Sequence, residues 1–152
     1  MAQQDEYPFK ASVRKAAVIF GVLLLVLVLP IPMAIYFFVK RGKGRVVVGE
    51  NGLEVHGFGL WPGRWTFAEI ERLGLLEVRM VGGGLGGALA RQMNGGDVAV
   101  NLMAITRAGK KLKFVLSRYE KHEELMTRVV VATGLTPETL SMGLMGPKWP
   151  ER

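Results

Sequence analysis

Three glycines, Gly82, Gly84 and Gly87, have the spacing of the fingerprint that lets a backbone approach a dinucleotide pyrophosphate. They follow a strand-like segment and precede Ala88, Leu89 and Ala90, which suit a helix start. That chemistry also needs an acidic residue about 20 positions further on for the ribose, and enough chain for a doubly wound sheet. Neither is present, and no P-loop lysine follows. The segment reads as a glycine-rich loop, or as an apolar patch of Leu85, Ala88, Leu89 and Met93 for lipid or a partner. His56 and His122 have no second ligand at metal spacing, and the chain has no cysteine. Glu123 and Glu124 are adjacent, so a helix points them to different sides, and Asp97 sits beside glycines in a turn. No nucleophile stands in an elbow or triad-like setting. The expectation is a non-enzymatic protein without cofactor or metal.

Charge is the stronger chemical signal. The net charge is +7. Arg107, Lys110, Lys111 and Lys113 cluster in a predicted hairpin, followed closely by Arg118 and Lys121. A second group, Lys40, Arg41, Lys43 and Arg45, follows a long apolar run. Facing anionic lipid, each such residue contributes about 1 kcal/mol of salt-sensitive attraction. The plainer reading is a solvated strand face. No stacking aromatics interleave with these charges, which argues against nucleic acid. Trp61 and Trp65 suit a core or barrel rim, and Trp149 an interface anchor or a loose end.

The apolar run, Ala16 to Val39, holds no charged residue. As one helix it would be about 36 Å long against a hydrocarbon core of about 30 Å, so it is expected to be a single transmembrane helix. Pro30 and Pro32 should kink it, and Tyr36 should lie at headgroup depth. A cleaved signal is the competing reading, but the run continues past Pro32 to Val39 before Lys40 and Arg41 stop it. Lys10, Arg14 and Lys15 precede the run beside Asp5 and Glu6, whereas four basic residues follow it. That bias predicts a single-pass inner-membrane protein with its C-terminal domain in the cytoplasm. The expected organisation is a polar tail over 1–15, the span over 16–39, a basic linker over 40–44, a domain over 45–135 and a tail over 136–152.

Within the domain, short segments alternate at period two. Arg45 to Val48 and Leu53 to His56 flank Gly49-Glu50-Asn51-Gly52, a hairpin by its Asn-Gly pair. A strand over Arg64 to Phe67 and a helical turn near Ala68 to Glu71, capped by Thr66 and Glu69, come next. Leu76 to Met80, Val98 to Ala104 and Leu112 to Phe114 give three more strands. From Tyr119 the period becomes 3.6, with Leu125, Met126, Val129 and Val130 on one face. Ser117 and Glu120 form a predicted capping box, and Gly134 a left-handed stop. Thr136 and Pro137 suggest a further short helix to Met142.

A run of antiparallel strands closed by one C-terminal helix resembles the pleckstrin-homology-like (PH-like) fold of bacterial membrane-anchored proteins. Gly52, Leu53, Glu54 and Val55, then Arg64, Trp65, Thr66, Phe67, Glu69 and Ile70, and the segment Glu124 to Leu135 carry the likeness, over Arg45 to Leu135. Six strands are countable where that fold has seven. The resemblance implies an interaction module that binds a protein partner at the membrane, by a sheet edge or the groove beside the helix. The alternative is recognition of anionic lipid by the two basic groups. Glu50 in the first predicted hairpin loop argues against the family's usual inositide pocket.

Overall fold

The computed structural model describes residues 5–26, 31–40, 43–57, 63–144 and 146–151. The chain opens in strand β1 (Asp5–Pro8), enters helices α1 (Ala11–Val26) and α2 (Ile31–Lys40), and returns as β2 (Arg45–Val48). β2 lies antiparallel to β1, with Pro8 opposite Arg45 and Asp5 opposite Val48. β3 (Gly52–His56) and β4 (Gly63–Thr66) complete a first sheet of order β1-β2-β3-β4. A 3-10 turn at Phe67–Glu69 leads to β5 (Ile70–Arg79), then α3 (Gly84–Met93), β6 (Val98–Thr106), β7 (Lys111–Val115) and α4 (His122–Thr133). The second sheet has the order β7-β6-β5-β8, where β8 (Glu138–Thr139) runs parallel to β5. β9 (Ser141–Gly143) and β10 (Gly146–Lys148) form a small hairpin.

The expected transmembrane helix over 16–39 is not formed. No described helix is long and apolar enough to cross a membrane. With 16 residues, α1 extends about 24 Å, short of a hydrocarbon core of about 30 Å. Pro32 supplies part of the physical reason. It stands in the first turn of α2, where a missing N–H forfeits no helical hydrogen bond, so it helps to start a second helix instead of kinking one. Pro30 lies outside the described residues. The chain doubles back, and Gly21 of α1 faces Phe38 of α2 so closely that a Cβ there would lie 3.2 Å from the ring. The single-pass inner-membrane placement, with a cytoplasmic domain set by flanking charge, falls with the span: both flanks return to the same end of one sheet.

Other differences are local. Residues 5–15, read as polar tail, hold β1 and the start of α1. The stretch from Gly82 to Gly96 contains α3, and β8 and β9 replace the helix expected after Pro137. Ser117 does not cap α4. It is buried, its Oγ donates to the Asn94 carbonyl at 2.6 Å and accepts the Val100 N–H at 3.2 Å. α4 instead follows Lys121, a non-glycine residue at φ +49°. Its stop is as expected: Gly134 has φ +66° and donates its N–H to the Val130 carbonyl at 2.8 Å.

Period-two alternation sends Val46, Val48, Leu53 and Trp65 from the first sheet, and Leu73, Leu102, Ala104 and Phe114 from the second, into one core. Leu125 and Val129, four apart on α4, close it. The outer face of the second sheet has its own cover, where Leu76 and Met103 pack under Leu140 with Trp149 beside them. Arg72 fastens this cover. Its Nε donates to Glu138 Oε1 at 2.9 Å, an Nη donates to the other carboxylate oxygen and to the Pro150 carbonyl, and the guanidinium lies 4.8 Å from the Trp149 ring centre.

The Asn51-Gly52 hairpin forms, but Gly52 is not at positive φ. The reason for glycine is a close approach: a Cβ at position 52 would lie 2.1 Å from the Trp65 carbonyl oxygen. Gly52→Ala is therefore expected to push β3 and β4 apart and to lower stability by about 3 kcal/mol, measured by urea denaturation. An unchanged midpoint would refute the close-approach account.

Candidate functional site

The two basic groups predicted as a joint lipid site are not brought together. At the base of the helix pair, the Lys40 ammonium lies 5.9 Å from the Tyr36 ring centre, Lys43 is exposed, and Arg45 opens β2 with its Nε 3.9 Å from Glu6. Arg41 lies outside the described residues. Lys10, Arg14 and Lys15 join this group from the other flank, because the Phe9 N–H donates to the Gly44 carbonyl at 2.9 Å. Lys10 Nζ also donates to the Gly95 carbonyl at 3.3 Å, which places the base beside the start of β6. Arg107 and Lys110 stand at the other end of β6, where the Arg107 N–H bonds the Glu69 carbonyl at 2.9 Å. The nine residues of β6 separate the two groups by about 27 Å. Lys111 and Lys113 point outward from β7 while Phe114 points into the core.

A different feature gathers side chains. The first sheet ends at β4 and the second at β7, and neither strand pairs with another along its outer edge among the described residues. Between them lies an open cleft of about 360 Å³ lined by Val55, Gly63, Trp65, Lys113, Val115 and Tyr119. Aromatic rings form its floor: Trp65 meets Phe114 edge-on at 5.1 Å, and Phe114 meets Tyr119 at 6.0 Å. Behind them, Phe9 lies 4.9 Å from Tyr119. The Tyr119 hydroxyl donates to the His56 carbonyl at 3.2 Å. Burial raises its pKa far above the usual phenol range, so it remains a donor. Arg118, whose pKa burial lowers, donates to Asn94 Oδ1 at 2.9 Å.

Among the described residues, β1 is joined to the segment after β7, while β4 is not. The Lys10 N–H donates to the Arg118 carbonyl and the Glu120 N–H to the Pro8 carbonyl, each at 2.9 Å. The cleft is the seam left beside this junction. Of the cleft residues, the sequence singled out Trp65 as a core or rim side chain and Lys113 as part of the basic hairpin. Phe114 and Tyr119 showed only as apolar positions in a periodic pattern.

The remaining sequence motifs have local explanations. Gly87 admits the Gly82 backbone, since a Cβ at position 87 would lie 2.3 Å from the Gly82 carbonyl oxygen. Arg91 donates to that carbonyl at 2.7 Å and pairs with Asp97 at 3.3 Å. In the predicted apolar patch, Leu89 is buried as α3 lies on α1, whereas Leu85 remains exposed. His56 pairs with Glu54 at 3.3 Å. Among the described residues, no three His, Cys, Asp or Glu side chains gather to hold a metal. No protein-family model, curated protein or solved structure matches the chain.

His122, at the start of α4, is coupled to the helix-pair base. Desolvation first, and the Lys10 charge second, lower its pKa below 6.5, against an opposing pull from Glu123. The folded state therefore prefers the neutral ring, and its contribution is present above the unfolded pKa and lost as pH falls toward the lower folded value. Wild type is expected to lose more thermal stability between pH 7 and pH 5 than His122→Gln does. Parallel losses in the two melting series would refute the coupling.

Proposed function

We propose that the protein is a non-enzymatic interaction module on a PH-like scaffold, and that it binds an extended segment of a protein partner along the cleft between β4 and β7. The observation that carries this reading is the pair of unpaired strand edges above an aromatic floor. An edge strand presents a row of backbone donors and acceptors that an incoming strand satisfies, while side pockets supply selectivity. Val55 and Val115, half-buried beside the cleft, add apolar area for that strand to bury.

The scaffold reading gains support from strand order. The four antiparallel strands β1 to β4 and the three antiparallel strands β5 to β7, followed by one amphipathic helix, make seven, and the two-residue β8, parallel to β5, is an addition to that pattern. Counted from β1, the loop from Gly49 to Gly52 is the second connection of the scaffold, not the first.

Photo-reactive residues in place of Arg64 and Lys113 in the full chain, expressed in its native cells, are expected to give one discrete protein adduct. The same group at Glu77, on the exposed face of β5, should give none. Adding Val115→Arg, which fills the cleft with a charge, should reduce adduct yield about tenfold. Equal adducts at Glu77, or indifference to Val115→Arg, would remove the reading.

A further inference from the structure

We infer that the α1–α2 pair enters one leaflet of an anionic lipid surface without crossing it. The inference goes beyond the partner cleft and rests on the helix pair alone.

The two ends of the pair are fixed to adjacent antiparallel strands, Pro8 opposite Arg45. The chain between them is therefore an excursion that leaves and re-enters the domain at one place. The domain covers only the first turns of α1, where Val13, Ala16 and Ala17 are 0% exposed. Further out, Ile19, Val22, Ile35 and Val39 are 43%, 47%, 54% and 51% exposed. Large aliphatic side chains gathered in this way, with a polar rim, mark an interaction surface.

Charge selects the occupant. From Tyr7 to Gly49 the sequence contains no Asp or Glu, and Lys10, Arg14, Lys15, Lys40, Lys43 and Arg45 surround the base of the pair. Two copies packed side by side would set these positive collars against each other. Phosphate and carboxylate headgroups complement them. Tyr36 lies in the last turns of α2 with the Lys40 ammonium 5.9 Å from its ring centre, an aromatic beside a cation, as suits a headgroup boundary.

Length selects the depth. From Ala17, the last residue of α1's covered base, to Val26, helix rise gives about 14 Å, close to half of a hydrocarbon core of about 30 Å. The described part of the pair therefore reaches about as far as the bilayer midplane, and its basic collar stays with the headgroups.

The test uses the full-length protein, preformed phosphatidylcholine vesicles with and without phosphatidylglycerol, and a salt series. Because the chain has no cysteine, Val22→Cys carries an environment-sensitive fluorophore without competing sites. Salt-sensitive flotation with anionic vesicles, together with a blue shift of the probe, is expected. Ile19→Gln with Ile35→Gln, both at exposed positions, should weaken partition by on the order of a hundredfold. A folded protein that fails to float, or a probe that stays water-exposed in floated samples, would overturn the inference. Concentration-dependent dimerisation abolished by the same glutamines, without vesicle binding, would assign the surface to a second copy. Labelling of Ser12→Cys and Lys43→Cys from opposite faces of a native membrane would overturn it in favour of a crossing.

Discussion

The pairing of β1 with β2 is the constraint on which the remainder of the structure depends. It closes a long excursion, and the loop entropy of that closure must be met by contacts made at the junction. Those contacts are specific. Tyr7 donates to Glu124 at 3.4 Å, Asp5 pairs with Arg128, and Phe9 forms a bridge to Tyr119. One short strand thus touches the first sheet, the end of the second and the closing helix. Its acids meet basic partners on both faces: Asp5, on the side of Tyr7 and Phe9, pairs with Arg128 of α4, and Glu6, on the outer side, faces Arg45 of β2.

The aromatic series from Phe9 through Tyr119 and Phe114 to Trp65 extends that junction across the core. Each ring contact contributes about 0.5–1.5 kcal/mol beyond area burial, and together they hold the two sheets at the seam where, among the described residues, no hydrogen-bonded strand joins them. The seam between β4 and β7 is open in hydrogen bonding yet rigid in packing. A binding edge with a fixed floor loses little order on receiving a partner. The opposite face of the second sheet is treated differently, because Leu140 and Trp149 cover it and Arg72 fastens the cover.

Much of the domain was legible from residue order. Strands β2 to β7, the hairpins, α4 and its glycine stop follow from periodicity and turn chemistry acting locally. The failures share one cause: a local pattern was outvoted by a distant contact. Asp5 to Pro8 has no strand pattern of its own and becomes a strand because Val46 and Tyr119 offer it partners. Ser117 has a capping-box spacing, but the Asn94 carbonyl takes its hydroxyl. Ala16 to Val39 has the length of a span, but the two flanks are tied together by residues outside it. The candidate cleft was illegible because its residues come from three separate strands and its defining property, two strand edges left unpaired among the described residues, is not written at any position.

Because Phe9 and Gly44 are hydrogen-bonded across the ends of the excursion, the sheet does not measure how long the excursion is. Whole turns gained or lost together in both helices would move the tip and leave every strand register unchanged. The helix pair is therefore a segment in which insertions and deletions are tolerated in matched sets, while β1, four residues long, tolerates none. Across descendants of this chain, length should vary between the two basic flanks and stay fixed on either side of them.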